Sequence, residues 1–460
     1  IEDEAEKECA ALPPLLGMVE SILMNQVIDV EYEGPEEDEE DNEDEKNARD
    51  KEQDEIEQWS VSAVEGTARF MAAMQLSMAG HHDEAAIQLR HFDCTHRLHP
   101  KVWNKQMAVQ KHGNLTSVVE EPALFTTPVL PKHIHEQLHR IFEPKASYWV
   151  ESNYSQRGYY SFFVDRLKNE EQPTDFVQDL IESYLLPLVD KRLPPGSDAI
   201  VGYEWWVHTR PLAANLGHNL HFDTDESLLK SQKRVTHPVV SSVLYLDGTA
   251  GQAGPTIVLN QSSDETASNA DVVWRNDPTP NSCLLFPGRF LHGVLPCSSS
   301  PPTKVDSGKS ASMDPSWAPH LKDYLSGDFN QKTLDKEAHR LSFMVVFWTR
   351  RVRDDIIEPD RLYAPCSQIP PPTHSHSWVK QIQQGYPRKG FKKVSGELEP
   401  IKIPQVHPAW ECLSSNNKPT RLLEIPKALD HRYFVRNPPA CFRDSLFERE
   451  EDDCEGGEEY

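Results

Sequence analysis

Four places in the chain set a histidine two residues before an acid: His81-x-Asp83, His82-x-Glu84, His91-x-Asp93 and His221-x-Asp223. An imidazole and a carboxylate that converge can hold a divalent cation. The pattern alone is weak, because 20 His and 73 Asp plus Glu among 460 residues give about three such pairs by chance. Backbone geometry separates them. Residues 58–123 read as helical, and on a helix positions i and i+2 point about 200° apart, so they cannot share an ion. His81, His82 and His91 are therefore read as helix-surface or turn histidines. His221 and Asp223 fall in "NLHFD", a strand-like stretch, where i and i+2 share one face about 7 Å apart. His292, in the strand-like "FPGRFLHGVLP", is the obvious third donor. Two neutral imidazoles and one carboxylate form the ligand set of non-haem ferrous sites, which leaves three coordination positions open. The plain alternatives are an ordinary surface pair at His221 and Asp223 and a turn histidine at His292.

The elements that must position these residues change in texture along the chain. Residues 1–30 read as a short helical segment, and 31–57 as an acidic flexible linker. In the 58–123 region, "QWSVSAVEGTARFMAAMQLSMAG" repeats small and apolar residues at three- and four-residue spacing, Gly80 interrupts it, and "DEAAIQLRHF" starts a second helix. This is one tetratricopeptide-like hairpin without a second copy, expected to pack on the neighbouring domain because a lone unit cannot bury its own face. From 124 to 358 a larger domain is expected. It starts with a short strand, a helix near Pro131 and the amphipathic "PTDFVQDLIESYLLPLVDKRL". Short strands then dominate: "AIVGYEWWVHTR", "VVSSVLYLDG", "GPTIVLN", "DVVWR", "SCLLFPG" and "RLSFMVVFWTR", separated by turn residues. Helices followed by short strands imply an α+β chain. Its core is expected to be a double-stranded β-helix, a jelly-roll or cupin-like double sheet, buttressed by helices and preceded by the N-terminal hairpin. Residues 298–338 interrupt the strands as a Ser-, Pro- and Lys-rich insertion, either a lid or disordered. The 359–460 extension reads as irregular and Pro-rich, with an acidic tail.

The order of these features resembles the Fe(II)/2-oxoglutarate-dependent oxygenases, in particular their prolyl-hydroxylase-like branch, over about residues 200–350. "HFD" at 221–223 and "LLFPGRFLHGV" at 284–294 resemble the two metal-binding segments. "SSVLYLDG" at 241–248 is similar to the strand whose Tyr touches the distal carboxylate of 2-oxoglutarate, here Tyr245. "AGPTIVL" at 253–259 looks like the following turn and strand, and "RLSFMVVFW" at 340–348 like the last strand, whose Arg-x-Ser holds that carboxylate. The resemblance implies an oxidoreductase: a dioxygenase that hydroxylates a C–H bond with Fe(II), 2-oxoglutarate as co-substrate and O₂. It implies His221, Asp223 and His292 as metal ligands and Arg340, Ser342 and Tyr245 as the 2-oxoglutarate site. A buried carboxylate needs a permanent cation, and a guanidinium gives two parallel charge-assisted hydrogen bonds that a lysine cannot copy. Arg289 and Arg350 are rivals for the role, since 48 residues part His292 from Arg340. Tyr245 as simple core and Arg340 as a surface charge are the plain alternatives. In "YEWWVHTR" alternation turns either Tyr203 and Trp205 or Trp206 and His208 toward the pocket, and the strand pattern leaves both choices open. Asp225 and Glu226 read as solvated acids.

Charge narrows the partners. The formal net charge is −26, but residues 31–57 carry −13 and residues 446–460 carry −7, which leaves −6 for the rest. Both acidic blocks repel phosphate, so nucleic acid is not expected, although a basic partner fits them. No apolar run is long enough to span a membrane. A soluble protein is expected, with an intracellular, cytoplasmic location favoured. The chain begins at Ile1 rather than Met, which leaves a removed leader open. The eight cysteines form no CxxC pair, against a zinc ribbon; Cys283 and Cys297 flank one strand and are candidates for pairing. A peptide or protein substrate is the expected partner of the enzyme. The competing reading is a non-catalytic scaffold or interaction subunit on an oxygenase-like barrel.

Overall fold

A computed structural model describes residues 65–109, 115–296, 339–350, 376–383, 398–413, 421–423 and 433–436, apart from residues 116, 119, 127, 153, 155–160, 167–174, 212–216, 249–252 and 264–268. The expected segments 1–30 and 31–57, the 298–338 insertion and the acidic tail lie outside the described residues, as does Cys297.

The chain is a mixture of helices and antiparallel sheets. In chain order the strands are β1 (His96–Leu98), β2 (Ala123–Phe125), β3 (Ser161–Asp165), β4 (Gly202–Pro211) and β5 (His218–His221). Then come β6 (Val240–Tyr245), β7 (Thr256–Leu259), β8 (Val273–Asn276), β9 (Cys283–Pro287), β10 (His292–Val294) and β11 (His339–Trp348). The last four are β12 (Ile401–Lys402), β13 (Gln405–Val406), β14 (Trp410–Cys412) and β15 (Phe434–Val435). A seven-stranded sheet runs β12-β2-β9-β6-β11-β4-β3, a five-stranded sheet β13-β8-β7-β10-β5, and a three-stranded sheet β14-β1-β15.

Strand alternation builds the layers. On β11, Leu341, Phe343, Val345 and Phe347 point outward into a core shared with the helices Lys132–Phe142, Ser147–Glu151 and Ser377–Gln383. Met344, Val346 and Trp348 point the other way, into a second core shared with Val258 and Trp274 of the five-stranded sheet. The outer face of that sheet, through Leu220, Ile257, Leu259 and Val273, meets a third core made with helical residues 68–74, Leu89 and Phe434. Helix, seven-stranded sheet, five-stranded sheet and hairpin thus stack in order, so helical cover lies on both sides of the strands.

The amphipathic helix is one rod with a fault. Phe176–Leu180 is capped by Asp175, whose side chain accepts from the Val177 and Gln178 amides, and Leu186–Asp190 ends it. Between them Ile181–Leu185 is π-helical. Pro187, two residues further on, lacks the N–H that would close an α-turn onto Ser183.

Two expectations need correcting. The hairpin exists as helical residues 65–79, a Gly80 turn at φ +85 and the helix His82–Leu89. The chain then leaves the helix at Asp93, φ 54, and enters β1. Nothing supports a tetratricopeptide unit. The 359–460 extension is not simply irregular: Ser377–Gln383 is helical, and β12, β13, β14 and β15 add strands to all three sheets. These strands are two or three residues long, too short to show alternation.

Candidate metal centre

The three predicted ligands come together. One donor atom each from His221, Asp223 and His292 lies within 4.8 Å of the others, the one such group among the described residues. His221 and His292 are directly opposed across the β5–β10 pair, the closest placement a sheet offers two side chains. Gly293 allows the approach, since a Cβ there would come within 2.9 Å of the His218 carbonyl. β5 ends at His221, so Asp223 lies just beyond the strand rather than on it. The His292 Nε2 stands 3.6 Å from an Asp223 carboxylate oxygen.

Neighbouring groups orient each ligand. His221 Nδ1 sits 2.9 Å from the Asn219 carbonyl and His292 Nδ1 sits 3.0 Å from the Phe290 carbonyl. A carbonyl only accepts, so each Nδ1 carries the proton and donates, and each Nε2 keeps its lone pair for an ion. Ser241 Oγ donates to Asp223 Oδ2 at 2.5 Å, and His237 Nδ1 donates to the Asp223 carbonyl at 2.7 Å. The donor set therefore fits a divalent metal: two neutral imidazoles, one carboxylate and open space beside them.

That space is a cleft between the two sheets, lined from one by Trp206, His208 and Met344 and from the other by His218, Thr256 and His292. Arg340 and Ser342 line it from β11. Arg340 is buried, with Nη2 donating to Thr256 Oγ1 at 2.8 Å and its guanidinium 5.6 Å from the centre of the Tyr245 ring. Thr256 Oγ1 lies 2.7 Å from the Tyr245 hydroxyl, which accepts from Asn276 Nδ2 at 3.0 Å. Burial pushes the Tyr245 phenol above its ordinary value, so it stays neutral. The Ser342 hydroxyl is buried and has no hydrogen-bond partner among the described residues. A buried cation and an unsatisfied hydroxyl on one wall suit an anion that brings its own acceptors.

The rival arginines are placed elsewhere. Arg350 pairs with Asp225 at 2.9 Å, and Arg289 lies 5.0 Å from the Phe290 ring centre. Asp225 is not a solvated acid: it is buried, and its carboxylate accepts from the Leu228 amide at the start of the helix Glu226–Gln232. Glu226 is exposed.

The "YEWWVHTR" alternatives also resolve. Trp206 and His208 line the cleft. Tyr203 and Trp205 do not: they face the helices, where Trp205 stacks on Phe343 at 5.6 Å and meets Trp378 edge-on. The helix layer needs large apolar partners, and odd positions of β4 supply them. His208 is bonded through Nδ1 to the Tyr154 hydroxyl. His218, without a role in the sequence reading, lines the cleft and stacks edge-on against His221 at 4.7 Å. Sequence reasoning missed Ser241, His237, Thr256 and Asn276. Ser241 and Thr256 stand inside the motif segments, so their strand positions were the available signal; nothing marked His237 or Asn276. Cys283 is a free, buried thiol rather than half of a disulfide, and burial pushes it up to about 12.

No helix among the described residues is long and apolar enough to cross a membrane. No protein-family model and no curated protein matches the chain. Several solved structures resemble part of the chain. A prolyl-4-hydroxylase from Pseudomonas putida shares 14% identity over 52% of this chain and 96% of its own, with a TM-score of 0.27. AviO1 from Streptomyces viridochromogenes shares 12% over 52% and 96%, TM-score 0.29. HygX from Streptomyces hygroscopicus, with nickel and 2-oxoglutarate bound, shares 12% over 49% and 81%, TM-score 0.25. Scores this low carry no argument, and the functional reading rests on the geometry of the site.

Proposed function

We propose that the protein is an Fe(II)- and 2-oxoglutarate-dependent dioxygenase that hydroxylates a C–H bond, with its two larger sheets forming a double-stranded β-helix. The observation that carries this reading is the convergence of His221, Asp223 and His292 within 4.8 Å, in a cleft that also holds a buried arginine. The three ligands would hold Fe(II), and Arg340, Ser342 and the Tyr245–Thr256 pair would hold the far carboxylate of 2-oxoglutarate. When bound, iron and 2-oxoglutarate supply the oxidative chemistry, in which O₂ oxidatively decarboxylates the co-substrate and hydroxylates the substrate. The chain's own work is orientation and charge. Asp223 contributes one negative charge, so a ferrous site stays net positive and attracts an anionic co-substrate. Arg340 fixes which end of that anion lies deepest. Trp206, Val243 and Phe286 give the cleft an apolar wall that excludes water. A peptidyl or protein substrate is preferred over a small molecule, on the order of motifs that resembles the prolyl-hydroxylase-like branch.

The test is anaerobic addition of Fe(II) and 2-oxoglutarate to the intact chain. A weak visible metal-to-ligand charge-transfer band is expected, and Asp223→Ala removes it while the circular dichroism spectrum is kept. No band, together with no consumption of 2-oxoglutarate in air, refutes the reading.

A further inference from the structure

The strand pair that carries the two histidines is uneven. His292 of β10 faces His221 of β5, but Val294 faces His218. Four residues of β5 thus run beside three of β10, so β5 bulges between its two histidines. A bulge re-aims side chains, and it persists where something holds it. Among the described residues β5 is an edge strand, bonded only to β10. The ladder therefore supports it on one side alone.

A residue from far along the chain sits on this bulge. The Tyr433 hydroxyl donates to the Val294 carbonyl and lies 3.4 Å from the His218 carbonyl. These are the two residues that face each other beyond the bulge. Gly217 leads into β5 at φ +79, and a Cβ there would collide with both the Tyr433 hydroxyl and the Val294 carbonyl. The Tyr433 ring is fully buried and packs edge-on against Trp103 at 5.3 Å. Leu220 and Phe222, which flank His221 and point away from the cleft, belong to the same apolar cluster as Tyr433, and so does Leu291 beside His292.

We propose that Tyr433 is a positioning residue for the metal centre: its hydroxyl fixes the β5 bulge that aims His221 at the ion shared with His292. This rests on the reading of His221, Asp223 and His292 as metal ligands. Outer groups that orient metal-binding side chains change metal affinity about 10- to 100-fold when removed. Tyr433 acts through backbone carbonyls, so the lower end applies.

The experiment titrates Co(II) into the full chain and follows its visible d–d absorption. Tyr433→Phe keeps the ring and its packing. It is expected to weaken Co(II) binding about tenfold and to alter the d–d band, with a melting temperature within a few degrees of wild type. Phe434→Leu is the matched control: it loosens the same cluster, lowers the melting temperature and leaves Co(II) affinity and band shape unchanged. If Tyr433→Phe does not fold, Tyr433→Met, which keeps apolar bulk against Trp103 without a hydroxyl, takes its place and must show the same cobalt defect. Wild-type protein that binds Co(II) beside a Tyr433→Phe variant with affinity within twofold and the same band overturns this inference alone. Wild-type protein that does not bind Co(II) overturns the metal-site reading with it.

Discussion

Arg340→Lys tests the co-substrate reading most directly. Arg340 is 6% exposed, one arm of its guanidinium donates to Thr256 at 2.8 Å, and the guanidinium lies near the Tyr245 ring. A lysine at this position keeps the charge and loses the fork. Where arginine makes two parallel bonds to a carboxylate, lysine makes one. A hydrogen bond to a charged group contributes about 1.5–3 kcal/mol, so the substitution should weaken 2-oxoglutarate binding about 10- to 150-fold. The assay is anaerobic calorimetry of 2-oxoglutarate into the metal-loaded protein. Metal affinity, measured separately, should stay within twofold, because Arg340 is not among the grouped metal donors. Arg350→Lys is the control. Arg350 pairs with Asp225, so its replacement should lower stability and leave the co-substrate affinity alone. An Arg340→Lys protein that binds 2-oxoglutarate within twofold of wild type, or an Arg350→Lys protein that shows the loss instead, refutes the assignment.

Three further outcomes follow from the geometry. Ser241→Ala removes the 2.5 Å hydrogen bond to the Asp223 carboxylate and should weaken Co(II) binding about tenfold, with Ser241→Thr recovering most of it; equal affinities in all three proteins would discard the role. Trp205→Ala should cost about 3–5 kcal/mol in denaturant unfolding because it empties a fully buried site against the helices, whereas Trp206→Ala should act on ligand affinity first; the reverse pattern would mean that the face assignment is wrong. The His139–Asp247 pair, 3.5 Å apart, raises the histidine and lowers the aspartate from their ordinary 6.5 and 3.8, in each case chiefly through their mutual hydrogen bond. The aspartate's contribution is present above its unfolded value and lost as pH falls through the folded one. The histidine's is present below its unfolded value and lost as pH rises through the folded one. The pair therefore stabilises most between about pH 4 and 6.5, and His139→Gln should flatten the stability profile across that window; an unchanged profile would show that solvent screens the pair.

Much of the site was legible before any fold was known. Period-two spacing puts Arg340 and Ser342 on one face of β11, whereas Asp223 reaches His221 from just beyond the end of β5. Helical spacing removes His82, while His81 precedes the helix and His91 stands in the turn after it. Residue types supply the chemistry, since only a guanidinium offers a fixed fork to a buried carboxylate. All of these are local properties of the chain. The choice between Trp206 with His208 and Tyr203 with Trp205 was not local: both faces of β4 are buried, one by the second sheet and one by helices, so alternation alone cannot point inward. The same holds for Arg340 over Arg350, where only the tertiary structure shows Asp225 engaging Arg350.

The short strands of the C-terminal extension carry too few residues for any period to register, and their pairing comes from partners some 130 to 340 residues away. Tyr433 is the extreme case. Nothing in its neighbourhood marks it as part of the site, yet its hydroxyl meets the Val294 carbonyl 139 residues away. The sequence by itself determined which side chains can do the chemistry, because identity and period are written locally. Only the tertiary structure decided how they are aimed, because sheet order, the bulge in β5 and the groups behind each ligand depend on contacts between distant segments.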